Sequence, residues 1–216
     1  MSDWFSTLAA GSELPRDATS ELQERGFVVI PGPTRPDRLA NAYTAAVASA
    51  TSDDIRIGST STKVNDFVNR GAEFDNLYVF PPLLEACCCV IGRPFKLSSL
   101  HARTLRPGSP SQELHVDVPR GSADWPLLGF ILMVDAFDAE NGATRFVPGS
   151  HRTLRDPTPS WTNARPFLKM KSWRVVRRAR SSSSTVRFGM AIPRTVRRGA
   201  GVPFRVTSSR ATLDRR

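Results

Sequence analysis

The sequence predicts an α+β layout with a β-sandwich or barrel core. Two features of its texture point there. Apolar residues recur at helical spacing through much of residues 16–91, whereas from Phe95 to Pro148 short apolar runs alternate with Gly, Pro and Asp. A third observation bounds the answer. The chain has 216 residues, 40% of them hydrophobic, which suits one domain, or one domain with an appendage, and excludes wholesale disorder.

The elements follow in order. Arg16 to Arg25 reads as a helix that Gly26 ends, and Phe27-Val28-Val29-Ile30 as a β-branched strand stopped by Pro31-Gly32-Pro33. Asp37 caps a second helix, along which Leu39, Tyr43, Ala46 and Val47 recur at helical spacing to about Ala50. Residues 51–76 are polar and mixed, a loop with short elements. Leu83 to Ile91 reads as a buried helix with Gly92 as its stop, its Cys87, Cys88 and Cys89 acting as small apolar residues. Leu97–Leu105, Leu127–Val134 and Thr144–Val147 are the strands, with turn chemistry at Pro107-Gly108, Gly121-Ser122 and Asn141-Gly142.

Composition narrows the class. No apolar run approaches the roughly 20 residues of a membrane span, so no membrane contact is expected. Met1-Ser2-Asp3-Trp4 lacks a basic stretch followed by an apolar one, so a secretory signal is not expected. Three adjacent cysteines make neither a disulfide framework nor a zinc finger, so a reducing, cytoplasmic setting is expected. The net charge of +10 is uneven: residues 165–216 hold 13 Arg and 2 Lys against one acid, Asp214, a net of +14, while residues 1–164 carry −4. A basic tail on an acidic body is the usual mark of a nucleic-acid arm.

The chemistry concentrates at Gln112-Glu113-Leu114-His115-Val116-Asp117. On a strand, residues i and i+2 share a face, so His115 and Asp117 can present an imidazole and a carboxylate side by side. A histidine from a distant strand would complete a 2-His-1-carboxylate triad for non-haem Fe(II). His-x-Asp alone is a weak signal, since a histidine hydrogen-bonded to a nearby aspartate is an ordinary structural pair. About thirty residues on stands Asn141-Gly142, followed by Pro148-Gly149-Ser150-His151.

With Gly26-Phe27-Val28-Val29-Ile30-Pro31-Gly32 these motifs make the segment from Gly26 to Arg152 resemble the phytanoyl-CoA dioxygenase family of Fe(II)/2-oxoglutarate oxygenases. The resemblance implies a double-stranded β-helix (jelly-roll, cupin-like) core behind N-terminal helices. It implies His115 and Asp117 as iron ligands, Gln112 as a cofactor-binding candidate, Fe(II) with 2-oxoglutarate and O2 as cosubstrates, and a small-molecule substrate. It places His151 in the loop motif, outside the metal set. His101 receives no role and reads as an ordinary core or surface histidine. Residues 53–80 and 118–126 could line a pocket mouth, and Trp125 is equally a core residue.

The chain departs from that pattern after His151. The family's second metal histidine and its cosubstrate arginine lie downstream of the Pro-Gly-Ser-His loop, yet no histidine follows His151 here. Residues 165–216 are Arg/Ser-rich without strand alternation, the composition of GC-rich DNA read out of frame. Recombining adjacent codons from Phe188 to Val196 permits Trp-His-Gly-His-Ser-Ala-Asn-Arg, with a hydrophobic run before it and an Arg-containing strand after. On this reading residues 1–164 form an incomplete oxygenase domain of impaired activity. Residues 165–216 are then a basic tail out of frame, with the C-terminal part of the core missing or disordered. The other reading is a non-catalytic protein whose tail grips nucleic-acid phosphates. With few aromatics for base stacking (among them Trp173, Phe188 and Phe204) and no recognisable module, nucleic acid is not expected as a partner.

Overall fold

The computed structural model describes residues 3–11, 13–110, 127–135, 144–152, 187–191, 196–198 and 205–212. Its helices are α1 (Trp4–Ala9), α2 (Arg16–Arg25), α3 (Pro36–Ala48), α4 (Asp75–Tyr78) and α5 (Pro81–Ile91). Its strands are β1 (Phe27–Pro31), β2 (Ile55–Ile57), β3 (Ser61–Val64), β4 (Lys96–Leu105), β5 (Leu127–Met133), β6 (Thr144–Phe146), β7 (Arg187–Ala191), β8 (Val196–Arg198) and β9 (Arg205–Thr212). Helices come first and strands dominate later, as the texture of the sequence predicts.

Local chemistry sets the helix ends. Gly26 (φ +81°) and Gly92 (φ +71°) close α2 and α5 in the left-handed conformation that glycine adopts without a Cβ penalty. Proline opens α3 and α5, where its fixed φ fits and its missing N–H costs nothing. The expected Asp37 cap is corrected: Arg35 is the capping position and Asp37 lies in the first turn. There its carboxylate favours the helix dipole and accepts from Arg35 Nε at 3.2 Å.

The strands form a seven-stranded antiparallel sheet in the order β1-β7-β5-β9-β4-β3-β2, and β6 and β8 pair as a separate ribbon. One face of the large sheet carries the helices. Val28, Ile30, Val64, Leu100, Ala102, Leu128, Phe130, Leu132 and Met190 enter one core with Leu22, Leu39, Tyr43, Phe67, Phe74, Leu77 and Leu83. Phe67 and Phe74 are fully buried and meet edge to face at 4.9 Å. Burying a side chain of that size stabilises by roughly 1.5–3 kcal/mol. Buried Glu85 of α5 accepts the Leu14 backbone N–H at 2.8 Å, tying the approach to α2 onto the core.

Residues Ala72–Ile91 have, taken together, the length and composition of a membrane span, which the sequence reading did not foresee. The segment is broken: α4 ends at Tyr78, α5 begins at Pro81, and Leu77, Leu83, Ala86 and Cys87 are packed in the core.

One larger expectation is corrected. The C-terminal part of the core was expected to be missing or disordered, but β7 lies between β1 and β5, and β9 between β5 and β4. The division at residue 164 therefore cuts through a single sheet. The physical reason is that a ladder is made by backbone N–H and C=O groups, which Arg, Ser and Thr supply as well as Val does. Central pairing of this kind counts against the out-of-frame reading of residues 165–216.

Candidate active site

Gln112, His115 and Asp117 lie outside the described residues, as do Asn141-Gly142, residues 118–126 and Trp125. What the structure describes is the wall opposite the helices. Strand β4 alternates cleanly. Leu100 and Ala102 enter the helix-covered core, and Thr104 on the same side meets the Tyr43 hydroxyl at 2.7 Å. His101 and Arg103 take the other face, each half-buried.

Cross-strand register extends that second face, because directly paired residues share a side. One row runs from Val29 on β1 through Ile131 on β5 to His101 on β4, joined by backbone pairing to β7 and β9. The next runs from Pro31 through Met133, Arg103 and Lys63 to Arg56, joined in the same way. Lys63 and Arg103 are therefore direct cross-strand neighbours, and Arg56 pairs with Lys63. This end of the sheet therefore carries three cationic residues on neighbouring strands.

The second face is also covered. Leu127 and Met133 are buried there at 5% and 6% exposure, although their neighbours Leu128 and Leu132 point into the helix-side core. Phe27, on the same side of β1, stacks on Phe146 of β6 at 4.9 Å with an interplanar angle of 18°. That contact holds the β6–β8 ribbon over the β1 end of the large sheet. The guanidinium of Arg25 caps the Phe27 ring at 4.9 Å.

His151 is buried in a 3-10 turn (Ser150–Arg152) beside the end of α2. Its Nε2 lies 2.9 Å from the Gln23 carbonyl oxygen, which accepts a second bond from Arg152 at 2.7 Å, and the Gly149 N–H donates to the Arg25 carbonyl. The two motifs at Gly26-Phe27 and Pro148-Gly149-Ser150-His151, 120 residues apart in sequence, thus form one structural joint. No group of three His, Cys, Asp or Glu that could hold a metal occurs among the described residues. His101 and Arg103 were missed as site candidates by sequence reading. The signal was present in the alternation Leu100-His101-Ala102-Arg103, which assigns the two polar side chains to the face the apolar ones leave.

Burial raises all three cysteine thiols above their ordinary value. Burial raises the thiol of Cys87 far above its ordinary range and pushes that of Cys88 up to about 11, so neither is a thiolate at neutral pH.

Comparison with known proteins places this geometry. The family model described as phytanoyl-CoA dioxygenase (PhyH) matches residues 22–188, from α2 into β7. Dioxygenase af480 of Aspergillus fumigatus is 26% identical over 150 residues, covering 63% of this chain and 48% of that protein. Multifunctional dioxygenase prhA of Penicillium brasilianum is 29% identical over 150 residues, covering 60% and 50%. The chain spans about half the length of these curated relatives. Among solved structures, EctD from S. alaskensis with bound Fe superposes with a TM-score of 0.70 at 14% identity, covering 94% of this chain and 78% of that one. The non-heme alpha ketoglutarate dependent carbocyclase SnoK superposes with a TM-score of 0.67 at 16% identity, covering 92% and 84%. At such identities the likeness shows a shared fold.

Proposed function

The chain belongs to the phytanoyl-CoA dioxygenase family, and from that premise we propose that it works as a non-haem Fe(II)/2-oxoglutarate-dependent dioxygenase on a small-molecule substrate. On this reading the seven-stranded sheet and the β6–β8 ribbon are the two walls of a double-stranded β-helix, and the reaction takes place between them. The observation that carries the proposal is the family match over residues 22–188, which contains the His115-x-Asp117 pair and runs through strands whose second face is half-buried and cationic.

His115 and Asp117 would supply an imidazole and a carboxylate to the iron, with Gln112 beside them as a cofactor-binding candidate. Bound iron would supply the redox chemistry that couples decarboxylation of 2-oxoglutarate to oxidation of the substrate. The chain's own part is to bind, orient and exclude water. Lys63 and Arg103, cross-strand neighbours on β3 and β4, would add positive charge to the region that takes the dicarboxylate cosubstrate. Leu127, Met133 and the Phe27–Phe146 stack keep the space between the sheets apolar. His151 is committed to the joint with α2, so its place in this scheme is structural.

The test is Fe(II)-dependent conversion of 2-oxoglutarate to succinate by the full chain. Turnover that disappears in both His115→Ala and Asp117→Ala supports the assignment. Turnover unchanged in both variants overturns it.

A further inference from the structure

The chain holds three histidines, His101, His115 and His151. His151 is committed to the joint: its Nε2 bonds the Gln23 carbonyl and its ring lies against Gly26. His115 belongs to the His115-x-Asp117 pair of the proposed function. His101 remains, and the fold gives it a definite place.

Strand β4 sets that place. Leu100 and Ala102 enter the helix-side core, so the imidazole of His101 stands on the opposite face of the sheet. Ile131 of β5 lies in the same cross-strand row, and Leu127 and Met133 are buried on that side. His101 is half-buried there, and its Nδ1 is shut off from water. The face is the one that bounds the proposed reaction space.

Chain reach and donor chemistry carry the argument further. Leu105 ends β4, and His115 stands ten positions later. A connection of that length is enough to reverse the chain, and facing sheets stand only about 10 Å apart. A histidine from one wall and an imidazole–carboxylate pair from the other can therefore close on one ion between them. Two imidazoles and one carboxylate are the donor set that suits non-haem Fe(II) and leaves positions open. We propose that His101 is the third metal ligand of this chain, taking the corner for which no histidine follows His151. The inference rests on the proposed function, because it takes His115 and Asp117 as the other two ligands.

Metal binding by the full chain tests this without any turnover. Pulsed electron paramagnetic resonance of the Cu(II)-loaded chain counts coordinated imidazoles, and two are expected, the number in a 2-His-1-carboxylate set. His101→Ala should show one. Its affinity for Fe(II), titrated without oxygen, should fall by more than the roughly 10–100-fold that loss of an outer-shell partner costs. Should His101→Ala not fold, His101→Asn keeps a polar side chain at that position and should give the same single imidazole, and the count in the unmodified chain stands without either variant. One imidazole in the unmodified chain, or two in His101→Ala, overturns the proposal. If Fe(II) affinity is unchanged in His101→Ala but lost in His115→Ala and Asp117→Ala, the inference fails and the proposed function stands. If it is unchanged in all three, both fail.

Discussion

A β-carbon built on Gly26 would stand 2.3 Å from His151 Nδ1. The imidazole lies against the bare α-carbon of the residue that ends α2, so one glycine both turns the chain left-handed and makes room for the histidine of a distant loop. The Gln23 carbonyl accepts from His151 and Arg152, which fixes the loop to the same helix end. This joint sets where β1 leaves α2 and where β6 ends, and so where Phe27 and Phe146 meet.

Gly26→Ala should therefore destabilise the protein by more than the left-handed backbone alone accounts for, which is about 1–2 kcal/mol. Gly92→Ala is the internal control. Gly92 has a similar φ, but a β-carbon there meets nothing within 4 Å. Urea unfolding midpoints compare them: a larger loss at Gly26 is expected, and equal losses would mean that the His151 contact contributes nothing.

The Asp54 carboxyl is held down to about 2, first by the hydrogen bond from Arg70 and then by those from Thr51. Arg70 Nη2 stands 2.7 Å from Asp54 while Arg70 Nε donates to the Asn65 carbonyl, so the pair anchors the β2–β3 region beside Phe67. A lowered folded-state pKa gives stability that is complete above the ordinary carboxylate range and lost as pH falls through the folded value. Asp54→Asn should accordingly be less stable than the parent at pH 7 and progressively closer to it from about pH 4 to about pH 2. Unfolding midpoints taken across that range measure the gap, and a gap independent of pH would remove the ion pair from the account.

Arg103→Met should weaken the 2-oxoglutarate interaction by about tenfold or more, the scale of one charge-assisted hydrogen bond. The expected kinetic signature is a raised KM for 2-oxoglutarate with kcat less affected. Because Ala102 and Thr104, not Arg103, face the helices, the fold should survive, as circular dichroism can check. An unchanged KM would place Arg103 outside the cosubstrate site.

A chain ending at residue 186 should fail to fold. It lacks β7 and β9, and so leaves β1, β5 and β4 with rows of unpaired backbone groups and no continuous sheet for the helices to pack on. Loss of the cooperative thermal transition is the expected result. A truncated chain with an intact transition would restore the reading of residues 165–216 as a dispensable tail.

Helices α2, α3 and α5 and strand β1 were legible because their signals are local, whereas α1, β2, β3 and α4 were not assigned. Gly26 and Gly92 stop helices by backbone chirality, Val28 to Ile30 is a β-branched run, and the 3.6-residue spacing of Leu39, Tyr43 and Ala46 fixes the buried face of α3. The recurrence of His115-x-Asp117 with the Gly26 and Pro148 motifs named the family, and the match over residues 22–188 shows it. Strands β7 and β9 carry no such pattern. Their place between β1, β5 and β4 is set by backbone pairing with strands far away in sequence, which no window along the chain contains. The same is true of the row Arg56-Lys63-Arg103, of the Phe27–Phe146 stack, and of the glycine that a histidine 125 positions later requires. Sequence periodicity assigns a residue to a face, and only the register between strands decides which distant residue it meets there.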